Sequence, residues 1–112
     1  MALSGPGQQL SIYVDESDLW HHRPLYLALL EAARKAGIAG ATVLRGIAGY
    51  GAHSRVHTEH LLDLSSNLPV IVQIVDAPAK IAAFLPVVES MVSEGLVTLT
   101  DLTVHLYRHR GS

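Results

Sequence analysis

Residues 69–75 read Pro69-Val70-Ile71-Val72-Gln73-Ile74-Val75, a nearly continuous β-branched run. Such side chains are stiff at χ1 and pack well on a pleated surface, and apolar residues on both pleat parities suit a central strand covered on both faces. Asp76 follows directly and is a residue type that caps helix starts. Ile81, Phe84, Leu85, Val88 and Met91 then recur at helical spacing as far as Gly95. Pro86 falls past the first turn of that helix, where proline costs about 3 kcal/mol, and predicts a kink or local break over residues 82–86. Residues 96–99 and 102–107 predict a final strand or strand pair, with Val104 and Leu106 on the opposite pleat parity to Thr103, His105 and Tyr107.

Upstream, residues 9–14 alternate, with Leu10, Ile12 and Val14 on one side and Gln9, Ser11 and Tyr13 on the other, as in a strand with one buried face. Pro24 suits the first turn of a helix. Leu25, Leu29 and Ala33, with Tyr26, Leu30 and Gly37, fall on adjacent helical rows, and the helix is expected to end near Ala36 and Gly37. Ala39-Gly40 turns the chain into a strand over residues 41–46. Gly46, Gly49 and Gly51 then mark a bend or close backbone approach. Residues 52–67 read as one long polar connection, in which Leu61, Leu62 and Leu64 allow a short amphipathic turn.

The order is β-α-β, a long connection, then β-α-β. This implies an α+β, ferredoxin-like β-α-β-β-α-β sandwich, a four-stranded antiparallel sheet with two helices on one face. With 112 residues the chain is read as a single domain over 1–112, with a core about 8–107. The apolar fraction is 49% and the charged fraction 16%, against about 25% charged in ordinary soluble domains. One sheet face remains uncovered, and the composition makes it an apolar face to be packed against sister subunits.

Several functions are excluded or disfavoured. The formal net charge is −2 and Lys35 and Lys80 are the only lysines, so no basic face exists to release counterions from a nucleic acid. The absence of cysteine removes disulfides, thiolate zinc sites and thiol catalysis. No stretch approaches the roughly 18 consecutive apolar residues of a membrane span, and the start of the chain does not read as a signal peptide. A cytoplasmic location is the resulting expectation. Ser65-Ser66 has no partnered histidine at a recognised spacing, and Asp15, Glu16 and Asp18 read as solvated acids stabilising the positive end of the following helix. An enzyme is not expected, and no cofactor is implied.

Arg45 beside the glycine turn 46–51 is the first binding candidate. Consecutive amides in a tight turn form a concave anion site, and a guanidinium clamps carboxylate or phosphate with two hydrogen bonds. Beside it stands the plainer reading, in which the glycines end the strand and aim the connection while Arg45 makes an intersubunit ion pair. His53, His57 and His60 fall in one connection around Glu59 and form a candidate transition-metal set, although their spacing matches no established metal pattern. Solvated or pH-responsive roles are the commoner fate of such histidines. His21-His22, next to Trp20 and Tyr26, reads as an exposed approach to the helix or as ligands offered to a neighbouring subunit.

Gly40-Ala-Thr-Val-Leu-Arg-Gly46, Gly49-Tyr-Gly51 and His57-Thr58 together resemble a functionally obscure bacterial and archaeal family of PII-like proteins. The likeness takes in Leu25-Tyr26, Leu64-Ser65, Leu68-Pro69-Val70, Val75-Asp76, Phe84-Leu85-Pro86 and Glu94-Gly95-Leu96, over roughly residues 8–107. It implies a homotrimer with a nitrogen-regulator-like fold, from a family often encoded beside fluoride-exporting channels. In PII signalling proteins a nucleotide sits between subunits. By resemblance, Arg45, Gly46, Gly49, Tyr50 and Gly51 would form the base of the long connection and Arg108 and Arg110 the basic pair of the last strand, with His57 a further ligand-binding candidate. The segment Ser93-Glu94-Gly95-Leu96-Val97 departs from the glycine-rich, lysine-bearing phosphate loop of those proteins. The resulting expectation is a trimeric regulator that binds a small anionic ligand, a nucleotide among the candidates, and signals through residues 50–67 to a membrane channel or transporter. The alternative is a metal-binding trimer similar to the divalent-cation tolerance proteins, with His53, His57 and His60 as ligands.

Overall fold

Leu10, Ile12 and Val14 form a buried apolar run on one face of the first strand, and Val70, Val72 and Ile74 do the same for a second strand laid antiparallel beside it. The pairs Leu10–Ile74, Ile12–Val72 and Val14–Val70 stand directly opposite one another, so both apolar faces point the same way. The computed structural model in which this is seen describes residues 2–50 and 68–108.

Along the chain run β1 (Ala2–Asp15), β2 (Leu19–Trp20), β3 (Arg23–Pro24), α1 (Leu25–Lys35), β4 (Gly40–Arg45), β5 (Pro69–Asp76), α2 (Pro78–Met91) and β6 (Leu96–Arg108). Four of the strands form one antiparallel sheet in the order β4-β5-β1-β6. The expected α+β arrangement is therefore present. Helix α1 buries Leu25, Ala28, Leu29 and Ala33, and α2 buries Ile81, Phe84, Val88 and Met91. These close over the apolar face of β1 and β5 as a single core. Burying each large aliphatic or aromatic side chain contributes about 1.5–3 kcal/mol.

Several local expectations change. The first strand begins at Ala2, well before residue 9, and pairs with the far end of β6 after a register shift between Leu3 and Gly5. Pro6 is tolerated there because pairing with β5 begins only at Gln8, which leaves that edge of β1 open. Residues 96–108 form one strand, not two. Pro24 precedes α1 as its N-cap residue. Leu19-Trp20 and Arg23-Pro24 make a small hairpin before it. Helix α2 continues across Pro86 without a break. Pro86 and Ala82, whose carbonyl loses its partner, both lie on the exposed face, where water can replace the missing bond.

Asp76 is buried but does not cap α2; Ala77 takes that position. The carboxylate instead accepts the N–H of Ala77 at 2.6 Å and that of Ala39 at 2.8 Å, tying the start of α2 to the approach to β4.

The helix-free face is apolar at its ends and polar between them: Leu102 and Val104 of β6 flank Gly7 at one end, and a cross-strand apolar row marks the other. The row Leu44–Ile71–Tyr13–Leu96 crosses all four strands, but the next row is Thr42–Gln73–Ser11–Thr98. Further apolar surface lies on the helix side of β6, where Val97 and Leu99 stay exposed because the helices cover β1 and β5. The expected wholly apolar face is thus interrupted by a polar row, and a further exposed apolar patch stands on the helix side of β6.

At the turn into β6, a Cβ added to Gly95 would stand 2.6 Å from the carbonyl oxygen of Tyr13, whereas one added to Gly40 would meet nothing within 4 Å. Gly95→Ala is therefore expected to lower unfolding free energy by about 1–3 kcal/mol in denaturant titration, as overpacking does. Gly40→Ala should stay within about 0.5 kcal/mol.

Candidate functional site

Strand β4 ends at Arg45, which stands opposite Val70 of β5. The N–H of Gly46 donates to the Pro69 carbonyl at 2.7 Å, and a Cβ on Gly46 would lie 2.7 Å from Pro69 Cγ. A Cβ on Gly49 would approach the same atom to 3.2 Å. Gly46 and Gly49 therefore follow the end of the strand and seat the turn against the proline ring. In the same turn Ile47 and Tyr50 are strongly exposed.

Arg45 is held within its own chain, by Glu16. The expectation of Glu16 as a stabiliser of the helix start is corrected: no acidic residue lies in the first turn of α1, because the β2–β3 hairpin intervenes. Asp15 and Asp18 close the turn after β1 instead. The Asp15 N–H donates to Asp18 Oδ2, and the Asp18 N–H to the Asp15 carbonyl, both at 3.0 Å. That turn presents Glu16, whose own N–H donates to the Leu68 carbonyl at 3.0 Å. The Arg45 side chain remains 59% exposed and that of Glu16 29%. The result is a water-accessible guanidinium beside a fixed glycine turn, able to take an oxyanion in place of a carboxylate.

Arg108 does not join this group within one chain. It pairs with Ala2 at one end of β1, whereas Arg45 aligns through Val70 with Val14 at the other. Gly51, His53, His57, His60 and Arg110 lie outside the described residues. Among the described residues no three histidine, aspartate or glutamate side chains gather as a metal set. His21 and His22 occupy the two central positions of the β2–β3 hairpin with φ of 49° and 68°, and both are exposed. The His21 ring stacks on Trp20 with centroids 4.1 Å apart. Among the described residues no helix is long and apolar enough to cross a membrane.

A groove of about 530 Å³ lies between α1 and the start of β4, with Leu27, Leu30 and Ile38 on its apolar wall and Arg34 on its rim. Arg23 also lines it and donates to Glu31 at 2.8 Å. Sequence reasoning missed this groove because its walls come from separate elements. The Glu16–Arg45 pair was closer to reach: in a sheet ordered β4-β5-β1, the ends of β1 and β4 fall on the same side.

The model of the DUF190 family, described as Uncharacterized ACR, matches residues 7–104. A UPF0166 protein of Aquifex aeolicus is 41% identical over 95 residues, 85% of this chain and 90% of that protein. CPII from Thiomonas intermedia K12, solved bound to ADP, AMP and acetate, superposes with a TM-score of 0.59 at 16% identity, covering 91% of each chain. CutA1 from Oryza sativa superposes with a TM-score of 0.58 at 12% identity, covering 90% of this chain and 82% of that one. The fold is therefore PII-like.

At the rim of the groove, the hydrogen bond and charge of Arg23 hold the Glu31 carboxyl below its ordinary pKa, with a smaller contribution from Lys35. A lowered folded-state value stabilises the protein above the unfolded-state pKa, and the contribution disappears as pH falls through the folded-state value. In an NMR titration of the side-chain carboxyl, Arg23→Ala should move the Glu31 midpoint upward. An unmoved midpoint would assign the shift to another cause.

Proposed function

The chain belongs to the DUF190 (UPF0166) family, and from that membership, its PII-like fold and the placement of Arg45 we propose that it is a trimeric, ligand-binding regulator. The ligand is small and anionic, with an adenine nucleotide as the leading candidate, and it binds where one subunit meets the next. Signalling passes through residues 50–67 to a partner protein, of which a membrane channel or transporter is the first type to test. No catalytic role is assigned.

The observation that carries this reading is the exposed guanidinium of Arg45, fixed at the foot of the 50–67 connection by a glycine turn packed on Pro69. Support for nucleotide as the ligand class comes from CPII, a fold neighbour solved with ADP and AMP. Support for assembly comes from the surface. Leu44, Tyr13 and Leu96 form an exposed cross-strand row, and Val97 and Leu99 form a second patch on β6. Among the described residues, β4 and β6 are also the outer strands of the sheet, each with one edge facing away from it. Closing such faces head to tail gives a ring, in which Arg108 of one copy can approach the Arg45 end of the next.

Native mass spectrometry should report a three-chain mass at micromolar concentration. Calorimetry with ADP should show binding that Arg45→Ala weakens by about 10- to 100-fold, the worth of charge-assisted hydrogen bonds, with the three-chain mass retained. A stable single chain, or binding indifferent to Arg45, overturns the proposal. Zinc retained in the same spectra and lost in His57→Ala would favour the metal-binding alternative.

A further inference from the structure

Glu16 holds a position that no other described acid shares. Its backbone N–H donates to the carbonyl of Leu68, the residue just before β5, and its carboxylate pairs with Arg45, the last residue of β4. One residue therefore touches both strand ends that flank the 50–67 connection. Its own position is fixed by the Asp15–Asp18 turn, which carries two hydrogen bonds of 3.0 Å.

We propose that Glu16 is an internal competitor for the anion site: its carboxylate occupies the Arg45 guanidinium in the empty protein, and a ligand anion must displace it to bind. This inference rests on the reading of Arg45 as a ligand-binding residue and adds how that site is regulated. A carboxylate and a phosphate oxygen make the same kind of contact with a guanidinium, so the two exclude each other on the face that Glu16 covers. Both side chains reach water, with 59% of Arg45 and 29% of Glu16 exposed, so the exchange strands no buried charge. Anion occupancy at Arg45 is thereby coupled to the turn after β1, and through the Glu16 N–H to the start of β5. The pair lowers the affinity of every anion that takes its place, and ligands that offer Arg45 more negative charge offset that loss more readily.

The test uses the full chain and ADP in calorimetry, with wild type, Glu16→Gln, Arg45→Ala and the double variant. Glutamine keeps the shape and the hydrogen bond to Leu68 and removes only the charge. Glu16→Gln should bind ADP about two- to fivefold more tightly than wild type, the scale of an exposed ion pair. That gain should vanish in the Arg45→Ala background, because the competitor then has nothing to mask. Equal affinity of wild type and Glu16→Gln overturns the competition while leaving Arg45 as a ligand residue. A gain that persists without Arg45 also overturns it, since the carboxylate would then act only by general repulsion. If Arg45→Ala binds as tightly as wild type, the reading of the site falls and the inference with it.

Discussion

The register between β1 and β5 is the constraint from which the remaining structure follows. Leu10, Ile12 and Val14 stand opposite Ile74, Val72 and Val70, and all six are buried beneath the two helices. Because side chains alternate across a strand, a slip by one residue would turn the whole set to the helix-free face and bring Ser11 and Gln73 into the core. Asp76 fixes the same register from one end. Its buried carboxylate takes the N–H of Ala39 and of Ala77, so β5, the approach to β4 and the start of α2 share one polar anchor. At the other end Gly95 passes within van der Waals contact of the Tyr13 carbonyl, a gap that admits no side chain.

Those fixed central strands leave two outer ones. Among the described residues strand β4 has only β5 as a neighbour, and β6 has only β1. The helices are placed by the β1–β5 core and do not reach over β6, which is why Val97 and Leu99 remain exposed on the helix side. A chain with 49% apolar residues therefore keeps apolar surface on both sides of the sheet and has two edges facing away from it. Natural sheets usually protect such edges with lysine, proline or a bulge. In β4 the only charged residue is Arg45 at its end, and proline is absent.

The alternation of β1, the β-branched run of β5 and the spacing of α1 and α2 are properties of neighbouring residues, and each was readable from the chain. What escaped was set by partners distant in sequence. Ala2 to Gly7 contains glycine and proline and becomes a strand only because β6 is long enough to pair with it. Asp76 looks like a helix cap, but tertiary structure directs one of its oxygens to Ala39 instead. Pro86 predicts a break, yet the helix continues because the carbonyl it orphans faces solvent. At the candidate site, the glycines announced a constrained turn, and Pro69 supplied the reason for it. The partner of Arg45 was not legible, because it depends on the fold bringing the end of β1 to the end of β4.

Two carboxylates, Asp76 and Glu16, show how burial divides structural from exchangeable roles in this fold. Asp76 is 1% exposed and makes two short bonds to backbone N–H groups. Removing it would leave two part-buried donors unpaired, at up to about 1–3 kcal/mol each, so it is not readily traded for a ligand. Glu16 faces water, and an exposed ion pair of its kind is worth only about 0–1 kcal/mol. Losing that contact threatens neither the core nor the register, both of which are settled by β1, β5 and the helices. A contact weak enough to give up, placed where β4 ends, is what the proposed anion site requires. The strength of the core is therefore what permits the weakness of the Arg45–Glu16 pair, and under the proposed competition stability and responsiveness fall to different carboxylates.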